Sequence, residues 1–292
     1  MRDGVQALRE QGFQCFDFRA DVQHAGGVMG IEHPVFYAGS GPALLVLHEL
    51  PGLAQPCVDF SQRLIAQGFE VFMPLLIGPP LSSQPLLNLA RLCISAEFGR
   101  LRAGETAPIA DWLRQLARRV GRDRGNRRIG AIGMCLTGAF VIPLVLEPGV
   151  QAAVASQPSI PFRLRSLFSP APRTTEPWMT QLNVSDADLQ AAAACARREH
   201  KSIMVQRFAQ DRLCPRARIE HLKNAFGDRA ELHEYATSPL RGRVAGPPHA
   251  LLTEEYDHAA DAPPDDPTRV ALARVVDFFH IHLDGAAFRV RR

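Results

Sequence analysis

Short runs of aliphatic and β-branched residues recur along the chain, separated by longer stretches in which apolar residues return at helical spacing. The runs Ala43 to Leu47, Glu70 to Pro74, Arg128 to Gly133, Ala152 to Ser156, Ser202 to Phe208 and Glu231 to Tyr235 read as strands. Helices are predicted over Val58 to Gln67, Pro108 to Val120, Leu136 to Leu146, Asp186 to Glu199, Pro215 to Phe226 and Pro267 to His282. Their ends carry chemical signals. Ser185 with Asp188 resembles a capping box, and Asp266 before Pro267 is an N-cap followed by proline in the first turn. Strands that alternate with helices imply an α/β protein. Parallel neighbours need a crossover, so the expected architecture is a mostly parallel central sheet with helices on both faces.

Two further runs, Gln14 to Arg19 and Pro34 to Tyr37, look like strands of an antiparallel edge. Residues 1–40 are therefore read as an N-terminal extension and residues 41–292 as a single domain. Residues 161–178 carry four prolines and read as an irregular surface excursion, either a lid or a plain loop.

Composition narrows the class. A hydrophobic share of 46% supplies a large core, and 22% charged residues with a net charge of +3 suit a soluble protein. The arginines from Arg118 to Arg128 are interrupted by glycines and lack aromatic neighbours, which suits a helix C-terminus better than a nucleic-acid site. The N-terminus has no apolar core of a secretory signal, and the apolar stretch from Gly133 to Val150 is too short and polar-broken for a membrane span. A cytoplasmic monomer is expected, with neither nucleic acid nor membrane as partner. The six cysteines show no Cys-x-x-Cys or zinc spacing, so free thiols and no metal are expected.

The sharpest local signal is Ile129-Gly130-Ala131-Ile132-Gly133-Met134-Cys135-Leu136-Thr137-Gly138, an apolar strand passing through a tight turn into a helix. This is the setting of a nucleophile elbow, in which a strained central residue projects its side chain above the sheet. Cys135 holds the centre. Alternatively it fills space beneath a strand end, as buried cysteines commonly do. An acid and a histidine should then follow in that order, each past a strand end. Asp211 follows the run ending at Phe208, and His249 closes a glycine- and proline-rich loop after the run ending at Tyr235. His249 would move the proton and Asp211 would fix its tautomer. Read singly, Asp211 is also a turn cap and His249 an ordinary loop histidine; Asp228, His233 and His258 are placed less well. Upstream, Leu44-Leu45-Val46-Leu47 runs into His48-Glu49-Leu50-Pro51-Gly52. The loop after that strand and the residue after the nucleophile supply oxyanion N–H groups in such folds, which selects Leu50 and Leu136. Glu49 would sit near the thiol, or else is a solvated loop acid.

With these residues placed, the chain resembles the dienelactone hydrolase family, within the α/β-hydrolase fold, from about Pro42 to Leu283. The similarity rests on His48-Glu49-Leu50-Pro51-Gly52, Gly133-Met134-Cys135-Leu136, Asp211 with Pro215, and His249. It implies hydrolysis of a cyclic enol ester through an acyl-cysteine intermediate, with no metal or organic cofactor. It further implies that Glu49 holds the resting thiol until substrate turns Cys135 toward His249. The chain departs from the family at Thr137 and Phe208, where glycines are usual, and at Thr253, where aromatic-degrading members have an arginine for the substrate carboxylate. Thr137 is expected to crowd the packing behind the elbow. Arg100, Arg102, Arg207 and Arg212 are the candidates for the missing arginine's role. Two other readings stand beside this one: a general carboxylesterase or acyltransferase, and a catalytically silent scaffold that binds a small molecule.

Overall fold

The computed structural model describes residues 2–24, 27–50, 52–82, 87–88, 91, 95–98, 105–125, 127–159, 179–237, 248–261 and 263–284. The predicted excursion at 161–178 lies outside the described residues. The strands are β1 (Gln14–His24), β2 (Gly27–Gly39), β3 (Ala43–Leu47), β4 (Glu70–Pro74), β5 (Ile129–Met134), β6 (Val150–Ser156), β7 (Ser202–Phe208) and β8 (Ala230–Tyr235). They form one eight-stranded sheet in the order β1-β2-β4-β3-β5-β6-β7-β8. β1 and β2 pair antiparallel, as do β2 and β4; every other neighbouring pair is parallel. Chain order reverses between β3 and β5. At such a switch point the loops leaving the carboxyl ends of the strands diverge, and a ligand crevice opens there.

The helices are α1 (Arg2–Glu10), α2 (Gln55–Ala66), α3 (Pro108–Asp123), α4 (Val141–Leu144), α5 (Asp186–Glu199), α6 (Arg216–Phe226) and α7 (Pro267–Leu283). Alternation along the strands divides the core into two layers. Leu45 and Leu47 of β3 pack with residues of α3, α4, α5 and α6, whereas Leu44 and Val46 pack with α1, α2 and α7. All five residues of β3 are buried, as expected of a central strand covered on both faces. Each such aliphatic side chain contributes roughly 1.5–3 kcal/mol relative to exposure.

Several element ends differ from the sequence reading for local reasons. α2 begins at Gln55 because Pro56 occupies its first turn, where a missing N–H costs nothing. The helix expected over Leu136 to Leu146 is split into a 3-10 turn, Cys135–Ala139, and the short α4. Pro143 cannot donate to a preceding turn, and Gly138 lies so close to Pro158 that a Cβ would come within 2.9 Å of it. α1 is not among the predicted helices: its amphipathic pattern spans only nine residues, with Val5 and Leu8 as the apolar face and Leu8 buried beside Phe13. The predicted caps do form. Ser185 accepts from the Asp188 N–H at 3.1 Å, and Asp266 accepts from the N–H groups of Thr268 and Arg269.

β5 lies against α7 through Gly130. A Cβ there would approach Leu44 Cδ2 and Phe279 Cε1 to 2.6 Å. Gly130→Ala is expected to destabilise the protein by about 1–3 kcal/mol through overpacking, read as a lower urea midpoint; an unchanged midpoint would show that the Phe279 ring yields freely.

Candidate active site

At the end of β5 the chain turns at Cys135, whose φ of 55° lies in the left-handed region. That conformation costs an L-residue about 1–2 kcal/mol, so its surroundings must impose it. Gly133 is required there: a Cβ would sit 2.2 Å from the Thr137 carbonyl oxygen. Thr137 does not crowd the turn. Its hydroxyl accepts from the Met134 N–H at 3.0 Å and lies 3.0 Å from the carbonyls of Met134 and Leu47, a staple from the elbow to the end of β3.

Asp211 and His249, from loops beyond β7 and β8, come together. Asp211 Oδ2 meets His249 Nδ1 at 2.7 Å, while Oδ1 accepts from the N–H groups of Leu213 at 2.8 Å and Cys214 at 3.1 Å. Both carboxylate oxygens are thus committed, and the side chain is buried. The contact at Nδ1 leaves Nε2 buried, and Cys135 lies close enough to the imidazole for the two side chains to interact. Burial opposes charge on this imidazole, but the charge of Cys135 and the Asp211 hydrogen bond outweigh it and hold the pKa well above 6.5.

Glu49 is buried, not a solvated loop acid. It accepts from the Thr253 hydroxyl, and Gln157 Nε2 reaches its other oxygen at 3.4 Å. Burial raises its pKa against those hydrogen bonds. The sulfur of Cys135 has a different neighbour, the Ser159 hydroxyl at 3.0 Å. In this conformation, then, the thiol is held by Ser159 and Glu49 is engaged elsewhere. His48 braces the Glu49 loop from below. The Leu76 N–H donates to its Nε2 at 3.0 Å, so the neutral ring carries its proton on Nδ1, 3.0 Å from the Glu49 carbonyl; burial lowers its pKa to about 4.

Leu136 is the second residue of the 3-10 turn that begins at the nucleophile, where helix N–H groups lack intrahelical partners, and Leu50 lies on the loop that leaves β3. Among the arginine candidates, Arg100 and Arg102 lie outside the described residues. Arg207 is buried; its guanidinium pairs with Glu234 and donates to the carbonyls of Ala209 and Asp211 at 3.0 Å, which braces the acid loop. Arg212 is exposed beside Asp211. Sequence reasoning passed over Ser159, Gln157 and the buried Arg218. Arg218 donates to the carbonyls of Gln181, Pro158 and Leu213 at 2.8, 3.1 and 2.7 Å. A signal for the first two was present: Ser156-Gln157-Pro158-Ser159 is a polar exit from the strand beside the elbow. Among the described residues no group of three or more His, Cys, Asp or Glu side chains is placed to hold a metal. Nor is any described helix long and apolar enough to cross a membrane.

A mostly parallel sheet with a strained turn at its switch point defines the class of α/β-hydrolase folds. The chain belongs to the dienelactone hydrolase family, whose model matches residues 33–237, and this makes it an ester or lactone hydrolase at the level of the class. No curated protein matches the chain. Among solved structures it is similar to a cold-adapted esterase from an Arctic intertidal metagenomic library, with 14% identity, TM-score 0.55, and 93% of this chain and 94% of that one covered. It is also similar to a dienelactone hydrolase-like promiscuous phosphotriesterase from metagenomic libraries, with 16% identity, TM-score 0.51, and coverage of 90% and 98%. A third similar structure is the Paleococcus ferrophilus monoacylglycerol lipase, with 12% identity, TM-score 0.51, and coverage of 85% and 100%. At these identities the likeness is one of fold.

The raised pKa of Glu49 has a consequence for stability. The unfolded carboxyl titrates near 4.5, so above that pH the folded state holds the extra proton. Stability attributable to this group therefore falls as pH rises, until Glu49 ionises in the folded protein as well. Glu49→Gln is expected to remove that slope, giving urea midpoints that vary less than those of the parent protein between about pH 5 and about pH 8. Equal slopes would show that Glu49 keeps its ordinary titration.

Proposed function

We propose that the protein hydrolyses a carboxylic ester or lactone through an acyl-cysteine intermediate, with Cys135 as nucleophile, His249 as proton carrier and Asp211 as its anchor. The supporting observation is the 2.7 Å contact of Asp211 with His249 Nδ1, which leaves Nε2 as the imidazole's working nitrogen above the elbow. The thiol proton passes to Nε2, and the thiolate attacks the carbonyl carbon. The carbonyl electrons move onto oxygen, which the N–H groups of Leu50 and Leu136 receive. Collapse of this adduct breaks the ester C–O bond, and the imidazolium protonates the leaving oxygen; in a lactone that oxygen stays attached to the acyl chain. Water, deprotonated by His249, then attacks the thioester. The thiolate leaves, and the carboxylic acid product is released. A dienelactone is the cyclic enol ester to test first.

Turnover of p-nitrophenyl acetate and of cis- and trans-dienelactone by the purified protein checks the proposal. Cys135→Ala is expected to abolish it and His249→Ala to lower it by about 10²–10⁴-fold. Full activity in Cys135→Ala would remove the nucleophile from the scheme. No turnover of any ester, with Cys135 inert to alkylation, would favour a silent binding scaffold.

A further inference from the structure

We infer that Ser159 is a positioning residue for the nucleophile: its hydroxyl fixes the orientation of the Cys135 sulfur and hydrogen-bonds to it as a thiolate. The inference rests on the cysteine reading above and adds a residue to it. Ser159 lies on the loop that leaves β6, the strand paired with β5, and it is buried. Two contacts tie it to the elbow, its hydroxyl at 3.0 Å from Cys135 Sγ and its N–H donating to the Cys135 carbonyl at 3.0 Å.

The loop is held from both sides. Pro158 packs on Gly138 and gives its carbonyl to the buried Arg218 guanidinium at 3.1 Å. Gln157 adopts a positive φ of 35°, and its N–H donates to the Gln206 carbonyl at 2.7 Å. A hydroxyl on so constrained a backbone needs little reorganisation when charge appears in front of it.

Proton bookkeeping gives the hydroxyl its direction. In the neutral thiol either atom can donate. Once the proton has moved to His249 Nε2, sulfur can only accept, and Ser159 must be the donor. Acylation turns the sulfur into a thioester and removes the charge that held the hydroxyl. In deacylation the C–S bond breaks and the thiolate re-forms under the same O–H. Ser159 therefore favours the thiolate both as resting nucleophile and as leaving group. Glu49 is not an alternative donor here, since its oxygens face Thr253 and Gln157.

The test is alkylation of Cys135 by iodoacetamide across pH, quantified on its own peptide by mass spectrometry. Reading that peptide separates it from Cys15, Cys57, Cys195 and Cys214, whose thiol pKa values burial raises. His249, Arg218 and Cys214 interact electrostatically with the Cys135 side chain, Asp211 and Glu49 act in turn on His249, and Ser159→Ala leaves all of them in place. Ser159→Ala is expected to move the alkylation profile up by about one pH unit, the usual size for one hydrogen bond to a charged group. Ser159→Thr, which keeps the hydroxyl, should stay close to the parent profile. A Ser159→Ala profile that superimposes on the parent, or equal shifts in both variants, overturns the inference. The underlying cysteine reading fails separately, through ester turnover that persists in Cys135→Ala.

Discussion

The backbone of Cys135 is the constraint around which the site is organised. An L-residue at φ 55° resists that conformation, and each neighbour of the turn shows how the resistance is overcome. Gly133 has no Cβ to meet the Thr137 carbonyl, Gly138 admits the Pro158 ring, and the Thr137 hydroxyl staples the turn to the last residue of β3. Beneath it Ile132 and Met134 are wholly buried, so the strand end cannot move to relieve the turn. The result is a thiol that rises from the carboxyl edge of the sheet at the switch point, where the loops of β3, β6, β7 and β8 meet it.

Buried polar groups fix the main chain of those loops, alongside apolar anchors such as Leu53, Cys214, Leu251 and Leu252 in the two core layers. His48 ties the loop after β3 to Leu76, and Arg218 joins the Ser159 loop to the acid loop. Arg207 holds the acid loop from beneath. Arg63 donates to the Leu252 carbonyl at 3.0 Å and stacks on the Tyr256 ring at 3.8 Å, which secures the chain beyond His249. Each of these cations or rings engages backbone carbonyls or N–H groups, so the loop main chain is positioned directly. Although Arg63 Nε and Arg207 Nε find no partner among the described residues, the hydrogen bonds these groups do make in a buried setting stiffen the loops, and stiffness keeps polar groups in place when charge develops.

Much of the fold was legible because strand burial and helix amphipathicity leave their periods in the sequence. The six strands from β3 to β8, the caps at Ser185 and Asp266 and the elbow at Cys135 were all readable. α1 was not, since its amphipathic pattern runs over only nine residues and rests on Val5 and Leu8, too short a stretch to distinguish from a polar N-terminal segment. The split after Cys135 escaped for a different reason: besides Pro143 it depends on the approach of Pro158, a residue from another loop.

The sequence by itself determined which chemistry was available: one cysteine in an elbow, with an acid and a histidine in order past later strands. Local rules suffice for that, because turn strain, capping and alternation act over a few residues. Only the tertiary structure decided the partners of these groups. It put Ser159 on the sulfur, turned Glu49 to Thr253 and Gln157, and drew Arg207 into an ion pair beneath Asp211. Such pairings join residues from 24 to 204 positions apart. They are set by the order of strands in the sheet and by the cost of leaving a buried polar atom without a partner, and neither condition leaves a local mark in the chain.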